Sequence, residues 1–213
     1  MTSYPPVQPG GSLMIAWQVK GKNVLVVGGG EVAAGRILHA LNADANVTVI
    51  SPSPLNQEVA HRVSQGEVRH VNRKFNPDDL TGASEIIADG GEIDMVLTAI
   101  DDPKESVAIW HQCKELRIPV NVADVPEHCD FYFGSVYRDG PLQVMVSTNG
   151  NGPKMANLVK KRIQEALPEK TGAAINNVGL LRGQLRKIAS TPEEGPKRMR
   201  WYAHPVHNYL SID

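Results

Sequence analysis

Cysteine is scarce in this sequence. Only two of the 213 residues are cysteines, Cys113 and Cys129. So low a count excludes a fold held together by several disulfide bonds, and it does not favour a cysteine metal site. It is typical of a protein in a reducing compartment, and we therefore expect the protein to be cytoplasmic.

Long apolar runs are missing as well. No stretch approaches the roughly 20 apolar residues that a membrane-spanning helix needs, so no membrane partner is expected. Residues 1–13 have neither a basic start nor an apolar centre, and we interpret them as a flexible tail rather than a signal peptide. With 41% hydrophobic and 21% charged residues, the chain has the composition of a globular protein.

A strong net charge is also absent, since the formal net charge is −1. The total conceals an asymmetry: residues 1–150 hold 11 Lys and Arg against 18 Asp and Glu, whereas residues 151–213 hold 11 against 5. The basic residues are not interleaved with aromatic ones, so no nucleic acid partner is expected. A polycarboxylate substrate or a solvated helical face explains the basic end better.

What the sequence does contain is a glycine turn between an apolar strand and a helix. Residues 24–27 are apolar, and Gly28, Gly29 and Gly30 follow directly. A continuous apolar run predicts a strand buried on both faces of a parallel sheet. Gly28 permits the tight turn, Gly30 permits close approach of a pyrophosphate, and Ala33 takes the third small position.

The helix predicted after this turn begins at Glu31 and Val32 and ends near Leu41. Its unpaired N–H groups and the positive end of its dipole point at the turn, which favours a phosphate there. We therefore predict a dinucleotide site at Gly28 to Val32. The alternative is an ordinary glycine turn in an α/β protein.

Strands and helices alternate up to about residue 125, which predicts a Rossmann-type parallel sheet with helices on both faces. The strands predicted after the first are residues 46–51, 68–71, 94–100 and 118–122, and residues 15–20 are a short strand or a lead-in. The predicted helices cover residues 31–41, 55–65 and 104–116, with a turn or helix at 77–80. Trp110 and Cys113 are predicted core residues.

The carboxyl ends of these strands carry the candidate cofactor residues, because ligands of open α/β sheets bind there. Thr98, Ala99 and Asp101 end the fourth strand and are predicted to line the cofactor crevice. Ser51 and Pro52 end the second strand, where a dinucleotide fold places the Asp or Glu that binds the ribose. Since Ser51 is neither and no Arg follows it, the residues leave NAD and NADP open.

Asp124 follows the fifth strand. A carboxylate at this position faces the crevice where a nicotinamide ring would lie, so Asp124 is the candidate general base. A helix or turn cap is the alternative. His128, Cys129 and Asp130 come next, but their spacing does not match a closed metal site, and we predict no fixed metal.

Beyond Asp124 the pattern changes to a hairpin and helices. Residues 131–137 and 142–147 are predicted strands, joined by a turn at 138–141 that contains Asp139-Gly140. A polar turn at 147–152 opens a helix predicted from Pro153 to about Leu167, and this turn is a second candidate anion site. Further helices are predicted at 173–190 and from 192 to about 202.

Five segments together resemble the siroheme-synthesis family of precorrin-2 dehydrogenases. They are residues 24–35, 98–103, 121–126, 130–135 and 147–153, which occur in the same order over roughly residues 14–202. The segment Asp130-Phe131-Tyr132-Phe133-Gly134-Ser135 is most similar to the fungal branch, which combines dehydrogenase and ferrochelatase activities.

The resemblance implies roles for residues and ligands. The catalytic aspartate of the family falls on Asp124, and its cofactor glycines fall on Gly28 to Gly30. The implied substrate-binding residues are Asn121, Ser147, Thr148 and Gly150. The implied cofactor is NAD, the substrates are precorrin-2, sirohydrochlorin and Fe²⁺, and the implied assembly is a homodimer.

The resemblance also implies an architecture. We expect an NAD-binding Rossmann domain over residues 14–125, a dimerisation region of strands and a helix over 126–167, and a C-terminal helical module over 168–213. Family members usually continue with more helix after the segment at 197–201, which leaves the completeness of this module open.

Three functions follow from this comparison. The leading hypothesis is NAD-dependent dehydrogenation of precorrin-2 to sirohydrochlorin, together with insertion of Fe²⁺ to give siroheme. The alternatives are dehydrogenation alone and a non-catalytic dinucleotide-sensing module. A sensing module needs neither Asp124 nor the segment 130–135, so their presence argues against it.

Overall fold

A computed structural model describes residues 4–81, 86, 87 and 91–201 of the chain. The chain divides into two compact units, residues 1–132 and residues 133–213. The predicted division into three domains stays a prediction. Within the described residues, no helix is long and apolar enough to cross a membrane.

The first unit is built on a five-stranded parallel sheet, as predicted. Its strands are β1 (Asn23–Val27), β2 (Asn46–Ile50), β3 (Arg69–Val71), β4 (Met95–Thr98) and β5 (Val120–Val122), in the order β3-β2-β1-β4-β5. Its helices are α1 (Glu31–Leu41), α2 (Gln57–Ser64) and α3 (Pro103–Leu116). This order confirms the Rossmann-type α/β fold.

The register of the sheet aligns the carboxyl ends of four strands at one edge. Val27 pairs with Ile50 on one side and with Thr98 on the other, and Thr98 pairs with Val122. The carboxyl ends of β1, β2, β4 and β5 therefore meet at the same edge, where the sequence places its candidate ligand-binding residues. The valine-rich centre of the sheet is fully buried, with Val26 and Val49 each 0% exposed.

Local sequence explains where the helices begin. The Asp102 carboxylate accepts hydrogen bonds from the N–H groups of Lys104 and Glu105, and Pro103 occupies the first position of α3. α2 begins at Gln57 rather than at Leu55, because the Asn56 side chain accepts a hydrogen bond from the Glu58 N–H and so caps the helix there. Residues 15–20 form a lead-in without strand structure.

The second unit begins with an antiparallel hairpin of β6 (Ser135–Asp139) and β7 (Leu142–Val146). The prediction that the first hairpin strand starts at Phe131 is wrong. Phe131 belongs to the first unit, where its carbonyl accepts a hydrogen bond from Asn121 Nδ2 and its ring meets Trp17 edge-on, with centroids 5.5 Å apart. The turn also lies one residue later than the predicted Asp139-Gly140 signal.

Gly140 and Pro141 form this two-residue turn, because Asp139 pairs directly with Leu142. Gly140 has φ +55°, in the left-handed region, whereas proline fixes φ near −65°. A positive φ at the first position alone is the pattern of a type II′ turn, whose twist matches the flanking strands.

Helices make up the rest of the second unit. They are α4 (Pro153–Ala166) and α5 (Thr171–Ile188), followed by a 3₁₀ turn at Pro192–Glu194 and helical residues from 195 to 201. The last predicted helix is thus present, but its first turn is 3₁₀. Tyr202, His204 and His207 lie outside the described residues.

Candidate functional site: the carboxyl edge of the parallel sheet

Gly28 makes the turn that ends β1. Its φ of +117° lies in a region that residues with a side chain rarely adopt. A Cβ atom here would overlap the Ala99 carbonyl oxygen, while the Gly28 N–H donates to the Ile50 carbonyl over 2.9 Å. Only glycine fits this position, so the turn brings bare backbone to the edge of the sheet.

Gly29 and Gly30 continue the turn in different surroundings. A Cβ atom on Gly29 would lie 2.8 Å from Ser51 Oγ and 2.5 Å from Leu55 Cδ2, whereas a Cβ atom on Gly30 would meet nothing within 4 Å. Gly30 is the N-cap of α1. The first hydrogen bond of the helix runs from the Ala34 N–H to the Gly30 carbonyl, over 3.0 Å. The N–H groups before Ala34 have no acceptor within the helix, so this open turn fits a phosphate group.

A cleft of about 190 Å³ opens beside this turn. We call it the edge cleft. It is lined by residues 27–28 at the end of β1, 50–52 at the end of β2, 74–75 after β3, 100–102 after β4, and Glu105 in the first turn of α3. The structure thus brings together four of the predicted cofactor residues: Gly28, Ser51, Pro52 and Asp101.

The walls of the edge cleft combine apolar and charged side chains. Ile50, Phe75 and Ile100 supply apolar surface. Lys74 and Glu105 also line the cleft, and within the described residues neither is in an ion pair. Apolar walls with a few converging polar groups are typical of a cofactor pocket.

Four further predicted cofactor residues do not line the edge cleft. Glu31 and Val32 are exposed in the first turn of α1. Thr98 is 2% exposed and its hydroxyl has no hydrogen-bond partner in the described part of the chain. The Ala99 N–H donates to the Val27 carbonyl over 2.8 Å, so Ala99 continues the sheet, and its carbonyl occupies the space that a Cβ atom on Gly28 would need.

Asp124 lies in the turn after β5, at the same edge. It is exposed, and its φ of +60° places it in the left-handed region, which Asp tolerates better than most residues. The neighbouring Ala123 N–H donates to the Thr98 carbonyl over 3.0 Å, so β4 holds this turn in place. The 3₁₀ turn at Pro126–His128 has no side-chain cap, which leaves the cap interpretation of Asp124 without support there.

Arg36 of α1 lies within electrostatic range of Asp124. Burial lowers the pKa of the Arg36 guanidinium, while the charges of Cys129 and Asp124 act in the opposite direction. Arg36 is half-buried between the buried residues Ala33 and Ile37. A cation therefore accompanies the predicted catalytic carboxylate at the edge of the sheet.

Two polar residues near Asp124 in the sequence make hydrogen bonds within the fold. Asn121 is 3% exposed, and its Nδ2 donates to Cys129 Sγ over 3.3 Å and to the Phe131 carbonyl over 2.8 Å. Asp130 accepts hydrogen bonds from Lys114 Nζ over 2.6 Å and from the Val120 N–H over 3.0 Å. These contacts give Asn121 a structural role, and its predicted part in substrate binding stays a prediction.

His128 and the two cysteines are engaged in packing and hydrogen bonds within the fold. The His128 ring stacks on Trp110 with centroids 4.4 Å apart, and Cys129 Sγ donates to the Val122 carbonyl over 3.1 Å. Burial raises the pKa of the Cys113 thiol to about 12, and Cys113 and Cys129 are not bonded to each other. Among residues 4–81, 86, 87 and 91–201, no three His, Cys, Asp or Glu groups are placed to hold a metal ion.

The predicted substrate turn lies in the second unit. Ser147 Oγ accepts a hydrogen bond from the Asn149 N–H, and Thr148 Oγ1 accepts one from the Gly152 N–H, each over 3.1 Å. Gly150 has φ +84°. The turn is thus a local hydrogen-bonded structure that leads into α4.

Three family models match this chain in succession. One described as "Putative NAD(P)-binding" covers residues 15–135, which include the whole parallel sheet and Asp124. "Sirohaem biosynthesis protein central" covers residues 139–166, and "Sirohaem biosynthesis protein C-terminal" covers residues 168–209. The first unit is therefore an NAD(P)-binding region.

Curated relatives agree with these models. A siroheme biosynthesis protein of Schizosaccharomyces pombe is 54% identical over 201 residues, which are 94% of this chain and 73% of that protein. The chain belongs to the siroheme biosynthesis protein family. A second fungal siroheme biosynthesis protein, that of Saccharomyces cerevisiae, is 30% identical over 220 residues, covering 89% of this chain and 80% of that relative.

Bacterial members of this family are much longer. The "Siroheme synthase" of Methylobacillus flagellatus is 32% identical over 190 residues, which are 89% of this chain but only 38% of that protein. A solved structure named "SirC, precorrin-2 dehydrogenase" matches with a TM-score of 0.66 at 20% identity, over 95% of this chain and 90% of that one. At this identity the match shows that the two chains share a fold.

Sequence reasoning missed four residues at the edge cleft and its surroundings: Arg36, Lys74, Phe75 and Glu105. Lys74 and Phe75 follow β3, so the rule about carboxyl strand ends could have found them had it been applied to that short strand. Glu105 lies in the first turn of α3, beyond the residues at the end of β4 that the same rule selects. Arg36 gave no signal, because an arginine within a surface helix is ordinary.

Proposed function

We propose that this chain is an NAD-dependent precorrin-2 dehydrogenase that also inserts Fe²⁺ into the product, sirohydrochlorin. The observation that carries the proposal is the shared edge of the sheet. A dinucleotide cleft beside Gly28 and an exposed carboxylate on Asp124 both lie where β1, β4 and β5 end. Membership of the siroheme biosynthesis family supplies the substrate class.

Dehydrogenation removes a hydride and a proton from the tetrapyrrole. The nicotinamide ring, when bound, supplies the acceptor for the hydride. Asp124 accepts the proton, since its carboxylate is exposed at the edge where the ring would lie, with the Arg36 cation nearby. The Gly28 to Gly30 turn and the start of α1 hold the pyrophosphate of the cofactor.

The substrate is a polycarboxylate, and the second unit is basic. Residues 151–213 carry 11 Lys and Arg against 5 Asp and Glu. Opposite charge raises the local concentration of an anionic ligand and speeds its association. We assign substrate binding to the turn of Ser147, Thr148 and Gly150, with Asn121 at the end of β5.

The second activity follows from the product named by the family. Siroheme is sirohydrochlorin that holds iron, so Fe²⁺ must enter the ring while two pyrrole N–H protons leave. We assign the acceptance of those protons to Asp124 as well. Iron is a substrate in this step, and the step needs no permanent metal site in the protein.

Our proposal includes a homodimer in the cytoplasm. Several large apolar side chains of the second unit are exposed, among them Met155 and Leu158 of α4, which are 59% and 55% exposed. Apolar surface of this kind marks an interaction site. A second copy of the chain is the occupant that accounts for it without a further component.

The experiment is to incubate the purified chain with precorrin-2 and NAD⁺ and to record absorption spectra. We expect NADH and sirohydrochlorin to form together, and added Fe²⁺ to convert the latter to siroheme faster than it does without protein. If neither NADH nor sirohydrochlorin forms while NAD⁺ binds, the chain is a dinucleotide-sensing module. If iron insertion is no faster with protein, the chain is a dehydrogenase alone.

A further inference from the structure

The end of β2 lacks the acidic residue that selects the cofactor in many dinucleotide-binding folds. Ser51 occupies that position, whereas such folds place an Asp or Glu there to bind the ribose 2′-hydroxyl. Ser51 carries no charge, and its hydroxyl donates to the Pro52 carbonyl over 3.2 Å. The residue at the usual position therefore does not discriminate between NAD and NADP.

Acidic groups reach the same cleft from another element. Asp101 follows β4, and Glu105 lies in the first turn of α3, and both line the edge cleft. In the described residues the Glu105 side chain is half-buried without a hydrogen-bond or ion-pair partner. Its backbone N–H, by contrast, is bound to Asp102 over 3.1 Å, which fixes the turn that presents it.

A single lysine lies on the β3 side of the same cleft. Lys74 precedes Phe75, which lines the apolar wall with Ile50 and Ile100. Among the residues that the structure describes, the cleft is lined by one cation and by the three carboxylates of Asp101, Asp102 and Glu105. Asp102 is engaged in capping α3, so Asp101 and Glu105 are the carboxylates available to a ligand.

We propose that Glu105, together with Asp101, takes the place of the missing carboxylate of β2 and makes the edge cleft select NAD over NADP. The two carboxylates accept hydrogen bonds from ribose hydroxyls and repel a 2′-phosphate, while Lys74 opposes this repulsion and sets the residual affinity for NADP. This assignment rests on the proposed dehydrogenase function, because it requires the edge cleft to hold the adenosine half of the cofactor.

The test is to measure the dissociation constants of NAD⁺ and NADP⁺ by titration calorimetry with the whole chain. The wild type is expected to bind NAD⁺ at least about tenfold more tightly than NADP⁺, since one or two like charges beside a 2′-phosphate change affinity by that order. Glu105→Gln and Asp101→Asn should each reduce the preference by about threefold to tenfold. Lys74→Met should increase it, and added salt should shrink all of these differences.

A matched control lies on the same helix. Glu115→Gln removes an equal charge from the exposed far end of α3, outside the edge cleft, and should leave the preference unchanged. A wild type that binds NAD⁺ but whose preference is unaltered by Glu105→Gln, Asp101→Asn and Lys74→Met would overturn this inference and leave the proposed function standing. A wild type that binds neither nucleotide would contradict the proposed function itself.

Discussion

The two units of this chain solve the problem of burying apolar surface differently. Residues 1–132 contain nearly all the buried apolar side chains, including the valines at the centre of the parallel sheet. In the described part of residues 133–213, Ala156 is the one buried apolar residue, while Leu180, Met199 and Trp201 are each more than half exposed. The first unit has a core of its own, and the second leaves large apolar side chains exposed, which is the surface that the proposed dimer would cover.

Charge follows nearly the same division. The acidic excess lies in residues 1–150 and the basic excess in residues 151–213. The edge cleft, with its apolar walls and its carboxylates, belongs to the unit that has its own core. The basic excess belongs to the unit that buries few apolar side chains.

Replacing Gly28 gives the largest effect we expect on the first unit. Gly28→Val puts a branched side chain where φ is +117° and where a Cβ atom already overlaps the Ala99 carbonyl. Strain of about 1–3 kcal/mol adds to this overlap, so NAD⁺ binding should fall below detection in titration calorimetry. Gly35→Ala is the control, because a Cβ atom there meets nothing within 4 Å, and it should bind NAD⁺ normally. Normal binding by Gly28→Val would contradict the assignment of this turn.

A charge on the exposed face of α4 tests the claim about the second unit. Leu158→Glu should weaken self-association at least about tenfold, because a buried charge costs more than a lost apolar contact. Sedimentation of the variant against the wild type measures the change. Leu38→Glu makes the same replacement on an exposed residue of α1 in the first unit and should leave association intact. If the wild type itself sediments as a monomer, the proposed homodimer is contradicted.

A smaller effect is expected where the hairpin meets α5. The Gly172 N–H donates to Asp139 Oδ2 over 2.7 Å, and a Cβ atom on Gly172 would lie 2.5 Å from Asp139 Oδ1. Gly172→Ala should therefore lower the free energy of unfolding by about 1–3 kcal/mol, measured by denaturant titration.

Gly179 provides the comparison for this substitution within the same helix. A Cβ atom on Gly179 meets nothing within 4 Å, so Gly179→Ala should raise the free energy of unfolding by up to about 1 kcal/mol. Equal effects of the two substitutions would show that the contact between Asp139 and α5 contributes nothing.

Local signals were enough to predict the first unit. Valine runs identified β1 and β2, and the glycine turn placed the start of α1 at Glu31, where the structure has it. Such patterns work because a strand buried on both faces and a helix beginning after a tight turn depend on neighbouring residues. The residues on the far walls of the edge cleft, Lys74 and Glu105, come together only through the strand order.

The predicted start of the first hairpin strand was wrong because tertiary contacts hold the residues at the end of the first unit. Aromatic and β-branched residues from 131 to 137 favour a strand, yet Phe131 is tied to Trp17 and Asn121, and β6 begins at Ser135. Propensity describes what a segment can form, and a contact with a distant residue decides what it does form. The proximity of Arg36 to Asp124 is of the same kind, because no spacing in the sequence connects α1 with the end of β5.

The central claim is that Asp124 acts on the substrate and not on the cofactor. Asparagine tolerates the left-handed backbone at this position, so Asp124→Asn removes the charge and keeps the turn. We expect NADH formation from precorrin-2 to fall about 100-fold or more, with NAD⁺ affinity unchanged. Asp44→Asn, at an exposed aspartate with the same φ of 60°, should retain full turnover. Undiminished turnover by Asp124→Asn would contradict the account.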